Sequence, residues 1–263
     1  MKTTFRAFSF TALISALILA STMTLEANSQ DMKSNPKDSS SCMERHGHDD
    51  GSSNHEHQHK KHSSSKHMHK RFDDAEKWAQ KFDDPKRDGW QKPDQVVEAL
   101  ALPEGSVLAD IGAGTGYFTV RLAKRYPSSK IIAVDIEPDM VAYVSNRAKA
   151  AGLKNVETCL TFADKPVTLP EKADVIFIAD TYHHIPNRDE YFLQLRQSLK
   201  PDGELVIIDF KLESPEGPPI EHRIQPQDVT EELKEAGFEQ KKSIEILPYQ
   251  YFLVFKLINK KDS

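Results

Sequence analysis

The sequence predicts an α/β domain on a doubly wound, mostly parallel sheet of seven strands, finished by an antiparallel hairpin at the C-terminus. Three observations predict it. Apolar runs and amphipathic helical patterns alternate from residue 107 to residue 236, which is the signature of successive βαβ units. The runs at 131–135, 175–180 and 205–210 are almost entirely Ile, Val, Leu, Ala and Phe, as strands covered on both faces require. Glycines cluster at the first strand-to-helix junction, on the edge where such sheets bind ligands.

Taken in order, the chain opens with Lys2 and Arg6 and then an apolar run over 8–20, FSFTALISALILA. This reads as a signal peptide, residues 1–27, because the run falls short of the ~20 residues a spanning helix needs. The expectation is a periplasmic or secreted protein with no stable membrane anchor after cleavage. Residues 28–70 are Ser, Asn, Asp, Gly, His and Lys with almost no apolar content, and they hold eight of the chain's 11 histidines. Such a segment buries too little surface to offset its ordering entropy, so it reads as a disordered tether. His46, His48, His55, His57 and His59 sit close enough in sequence to converge on a divalent metal without any fold. The same composition also suits a plain soluble linker. Two cysteines, Cys42 and Cys159, are too few for a disulfide scaffold or a thiolate metal site, which leaves stability to core packing.

Residues 71–263 form the predicted folded domain. Phe72, Ala75, Trp78, Ala79 and Phe82 recur at helical intervals before Pro85, and a second helix is expected over 93–102. Strands follow at 107–111, 131–135, 156–160, 175–180 and 205–210, with helices at 117–126, 139–151, 188–199 and 227–236. Segments 244–247 and 249–258 read as the closing hairpin across Pro248. The length of 263 residues suits one catalytic domain with an appendage. A net charge of -5 and a pI near 6.1 exclude a broadly basic surface for nucleic acid.

The first strand runs directly into Asp110-Ile111-Gly112-Ala113-Gly114-Thr115-Gly116-Tyr117 and then a helix. Glycine there allows positive φ and close ligand approach, while the helix start offers unpaired N–H groups. A dinucleotide fingerprint needs glycine at 117, where this chain has Tyr117. Asp135 ends the second strand 19 residues past Gly116, where a carboxylate can accept bonds from both hydroxyls of a ribose.

The segment VLADIGAGTGYFT resembles motif I of the class I, Rossmann-like methyltransferases that use S-adenosylmethionine. Asp180-Thr181-Tyr182-His183-His184-Ile185 is similar to the family's substrate-facing segment, and LKPDGEL over 199–205 to its turn into strand five. The resemblance covers roughly residues 90–260. It implies that Asp110, Gly112, Gly114 and Gly116 hold the methionine portion, Asp135 with Ile136 beside it the ribose region, and Asp164 the adenine amino group. Asp180 is read either as a ligand contact or as a residue holding the loop after the fourth strand. Asp135 could instead cap the helix that follows it. His183 is the candidate base, with Tyr182 and Asp209 as orienting groups, acting on a small-molecule methyl acceptor. A second reading is an exported metal-handling or sensing protein whose domain binds an adenosine compound without turning it over.

Overall fold

A computed structural model describes residues 40–41, 72–162, 165 and 167–258. The expected signal peptide, nearly all of the tether with its five candidate metal-binding histidines, and Asp164 lie outside the described residues.

Seven strands, β1 (Val107–Ile111), β2 (Lys130–Asp135), β3 (Val156–Leu160), β4 (Ala173–Ala179), β5 (Leu199–Phe210), β6 (Phe238–Ser243) and β7 (Gln250–Leu257), lie in the order β3-β2-β1-β4-β5-β7-β6. The first five are mutually parallel, and β7 runs antiparallel to both β5 and β6. The sheet thus matches the seven-stranded, mostly parallel architecture expected, with its antiparallel pair at the C-terminus. Ser40–Ser41 extends it past β3 by pairing parallel with Cys159 and Leu160. Cys159 is fully buried and disulfide-bonded. Strand order reverses between β1 and β4, which opens a crevice at their carboxyl ends.

The helices are α1 (Ala75–Phe82), α2 (Lys86–Gln91), α3 (Pro93–Ala99), α4 (Tyr117–Arg125), α5 (Pro138–Ala150), α6 (Arg188–Leu195) and α7 (Pro226–Glu235). Three of them, α3, α5 and α7, begin on proline, whose missing N–H would be unpaired there in any case. One sheet face packs Val96, Val97, Phe118 and Leu122 of α3 and α4 against Leu108, Phe177, Ile208 and Phe252. The other packs Phe192, Leu195, Val229 and Leu233 of α6 and α7 against Ile176, Ile207 and Leu253. Both faces of the central strands are covered, which explains their continuous apolar sequence.

Three elements differ from expectation. The partner of β7 is β6, not 244–247. In β6 only Phe238 is buried while the other five residues are exposed, so an edge strand with outward lysines carries almost no apolar signal. Ile244, Ile246 and Leu247 instead pack as a turn against the α3–α4 face. Helix α6 ends at Leu195 and tightens into a 3₁₀ turn at Arg196–Ser198, because β5 already begins at Leu199, opposite Ala173. The short α2, with Gly89 inside it, had no periodic pattern to announce it.

The loop after β5 is organised around one side chain. The Arg223 guanidinium donates to the carbonyls of Pro218, Lys211, Leu212, Ser214 and Glu216 at 2.6–3.3 Å, using the full fork of donors that arginine offers. Arg223→Ala is therefore expected to cost about 1–3 kcal/mol and to speed amide hydrogen exchange across 211–223 while β1 and β4 stay protected. Unchanged exchange in the loop would show that Arg223 does not hold it.

Candidate functional site

The glycine turn is dictated by crowding and by the neighbouring strand. Gly112, Gly114 and Gly116 have φ of 73°, 55° and 80°, a region L side chains rarely adopt. A Cβ on Gly112 would fall inside the side chain of Thr181, so the approach of the β4 loop also requires glycine. Helix α4 starts after Gly116 with no side-chain cap, leaving first-turn N–H groups to a ligand. Asp135 Oδ2 accepts the Gly114 N–H at 2.8 Å and its Oδ1 accepts the Glu137 N–H at 3.0 Å. Burial raises the Asp135 pKa against the pull of those backbone bonds.

Asp110 lies beneath the turn, 3% exposed, accepting the Thr119 hydroxyl at 2.6 Å. Burial pushes its carboxyl up to about 6 although the Thr119 bond opposes the shift. Ile136 and Phe162 follow the adjacent ends of β2 and β3, and each is 43% exposed. Two large apolar side chains left open next to the half-buried Asp135 suit the faces of a flat, uncharged ring. Phe162 was not singled out from the sequence, although an aromatic residue two positions past a strand end was the available signal.

The N-terminal helices cover this turn. Phe82 of α1 lies 3.7 Å from where a Gly114 Cβ would stand, and Arg147 ties Asp83 at 2.9 Å to the Thr115 carbonyl at 2.8 Å. On α2, Arg87 donates to Asp180 at 2.7 Å, to the Phe82 carbonyl at 2.9 Å and to Gln91 at 3.1 Å. Its guanidinium also stacks 4.0 Å from the Tyr117 ring. Gln91 donates to Gln250 at 2.7 Å and Gln250 donates in turn to Asp180. Asp180 itself has φ of 57°, and burial raises its pKa although Arg87 counteracts the rise. Arg87, Gln91 and Gln250 come from segments up to 159 residues apart, a separation that no local motif encodes.

His183 and Asp209 meet at the ends of β4 and β5. His183 Nδ1 lies 2.9 Å from both Asp209 oxygens, and Asp209 also accepts the backbone N–H of His183 at 3.1 Å and of Phe210 at 2.8 Å. Their side chains are 5% and 4% exposed. Burial works against the imidazolium, yet the hydrogen bond and charge of Asp209, with Asp180 adding, outweigh it and raise the His183 pKa. The Asp209 bond assigns the proton to Nδ1 and leaves Nε2 as the acceptor. Tyr182 takes no part in this pair: it is fully buried, stacked 5.2 Å from Phe192, with its hydroxyl on Glu232 at 2.6 Å. Among the described residues no group of three or more His, Cys, Asp or Glu converges as a metal site.

Residues 103–248, more than half the chain, match a family model described as a methyltransferase domain. A SAM-dependent methyltransferase from Aquifex aeolicus superposes with a TM-score of 0.63 and 30% identity, over 69% of this chain and 97% of that one. A malonyl-[acyl-carrier protein] O-methyltransferase from Acetivibrio thermocellus is 35% identical over 104 residues, 39% of this chain and 35% of that protein. A ubiquinone/menaquinone biosynthesis C-methyltransferase from Hydrogenovibrio crunogenus is 27% identical over 124 residues, 46% of this chain and 48% of that protein. The matches to these curated relatives thus span less than half of their length. A sheet of this order, a Gly-x-Gly-x-Gly turn beside Asp135 and a matching family model across the domain place the chain in the SAM-dependent methyltransferase family.

Proposed function

We propose that this protein transfers the methyl group of S-adenosylmethionine to a small-molecule acceptor. The observation that carries the reading is Asp135, held against the Gly114 N–H, with exposed Ile136 and Phe162 following the ends of its own strand and of the neighbouring one. The residues fit an adenosine bearing a cation. Asp135 can take ribose hydroxyls, Ile136 and Phe162 can flank the base, and the α4 N-terminus with buried Asp110 can hold the charged methionine end. When bound, the cofactor supplies an electrophilic methyl group on a positively charged sulfur.

The chain's own residues supply alignment, water exclusion and a proton acceptor. Helices α1 and α2 cover the turn through Phe82 and Arg87, which limits solvent beside the reacting atoms. His183, oriented by Asp209, accepts the acceptor's proton at Nε2. Asp180 holds Arg87 and Gln250, so its role in this reading is to latch the covering helix.

The acids and the dyad can be tested separately. Calorimetry should show S-adenosylmethionine binding, weakened roughly 10–100-fold by Asp135→Asn, since charge-assisted bonds are worth about 1.5–3 kcal/mol. The Asp110 carboxyl sits near 6 instead of 3.8, so below about pH 6 the free protein holds it protonated, whereas a nearby cation favours the ionised form. Affinity should therefore rise as pH increases towards about 6, level off above it, and lose this slope in Asp110→Asn. No heat with the compound or its demethylated form would remove the reading. Independently of any acceptor, an NMR titration should place the His183 pKa above the ordinary histidine value, and Asp209→Asn should lower it. An unshifted His183 in the parent protein would break the proposed dyad.

Export is part of the same proposal: residues 1–27 direct the chain out of the cytosol, and the histidine-rich segment carries a divalent metal. Lys2, Arg6 and the apolar run over 8–20 support it. Mass spectrometry of the mature N-terminus in the envelope fraction should find a start near residue 28. An intact Met1 in the cytosol would overturn it.

A further inference from the structure

The acceptor's chemistry is legible in what surrounds His183. Five further rings form an unbroken chain of contacts with it. Phe72 lies 5.6 Å from His184, His184 4.1 Å from His183, His183 6.5 Å from Phe210, Phe210 5.7 Å from Trp90 and Trp90 6.4 Å from Tyr249. Phe72, Trp90 and Tyr249 are only half-buried and His184 is exposed, so the wall offers open π surface on both sides of the base.

The charges beside this wall are already satisfied. Arg87 points three of its five N–H groups at Asp180, the Phe82 carbonyl and Gln91, and its charge is paired with Asp180. Asp180 is held by Arg87 and Gln250, and Asp209 by the imidazole and two backbone N–H groups. A carboxylate or phosphate acceptor would have to compete with Asp180 for the Arg87 charge, and an ammonium acceptor would find both carboxylates already paired or hydrogen-bonded. Leaving such a charge unpaired in a covered site is costly. The acceptor that fits is flat, neutral and able to lose a proton to an imidazole.

Building on the methyl-transfer reading, we propose that the acceptor is a phenol, methylated on oxygen. The phenol O–H proton passes to His183 Nε2 and an oxygen lone pair forms the new O–C bond. The electrons of the C–S bond return to sulfur, leaving a neutral thioether, and the imidazolium then gives its proton to water. Phenols ionise near ~10, so a base strengthened by a carboxylate partner serves them better than a bare imidazole would. An aliphatic alcohol is a far weaker acid and gains nothing from the ring wall.

The test uses the full chain with S-adenosylmethionine and five probes: catechol, 2-naphthol, benzoate, benzylamine and cyclohexanol. Release of the demethylated cofactor is measured beside quenching of Trp90 emission in a Trp78→Phe background. The expected result is methylated catechol or 2-naphthol with Trp90 quenching, a rate loss of roughly 10²–10⁴-fold in His183→Ala with cofactor affinity unchanged, and a raised KM in Trp90→Leu. Turnover of benzoate, benzylamine or cyclohexanol in preference to the phenols overturns the proposal. So does cofactor-loaded protein in which the phenols neither quench Trp90 nor accept methyl. A protein that fails to bind S-adenosylmethionine in calorimetry fails the methyl-transfer reading instead, and the two failures are told apart by that one titration.

Discussion

A single hydrogen bond, from the Gly114 N–H to the Asp135 carboxylate at 2.8 Å, links the parts on which the site depends. It is possible only because β1 and β2 pair in a register that sets Ile111 opposite Val134. The Val134 carbonyl then receives the N–H groups of both Gly112 and Ala113, at 2.8 and 3.0 Å. The turn is thus anchored to the neighbouring strand at three consecutive residues before α4 begins. A register slip of one residue would turn Asp135 to the other face of the sheet and release the turn. The glycines allow this path, but the adjacent strand selects it.

Around the anchor the fold gathers more buried acid than it neutralises. Burial raises the pKa of Asp110, Asp135 and Asp180, which means that holding all three ionised disfavours the ligand-free state. Arg87 offsets this at Asp180 from a covering helix, while Asp110 and Asp135 rely on hydroxyl and backbone donors. In the proposed reaction, a sulfonium beside Asp110 and Asp135 would offset part of that cost.

How much of this could be read from residues alone depended on how local the cause was. Strands β1, β2, β4 and the second half of β5 were legible because burial on both faces writes an apolar run, whereas β6 was not, since Phe238 is its one buried residue. The glycine turn, Asp110 and Asp135 were legible because a strand-to-helix junction places them within one short segment and its neighbour. Arg87, Gln91 and Gln250 were not, because their meeting is a product of tertiary packing between an N-terminal helix and the last strand. Tyr182 shows the opposite failure. Adjacent to His183 in sequence, it belongs to the core, because the 3₁₀ turn at Tyr182–His184 points successive side chains in different directions.

The antiparallel strand β7 extends this argument from the sheet edge to the chemistry. It pairs Tyr251 with Asp209 and Gln250 with Phe210, and neighbouring residues of a strand face opposite sides. Asp209 thus bonds His183, and Phe210, at the end of the strand, meets both His183 and Trp90. Gln250 follows Phe210 and reaches Asp180 and Gln91, while Tyr251 packs into the α6–α7 core. Were β7 shifted by one residue, a phenol would replace the amide that bridges Asp180 to the covering helix. The latch would then lose its only donor from the sheet among the described residues. The C-terminal pair that closes the edge of the sheet is, by the same register, what connects the base, the ring wall and the cover over the glycine turn.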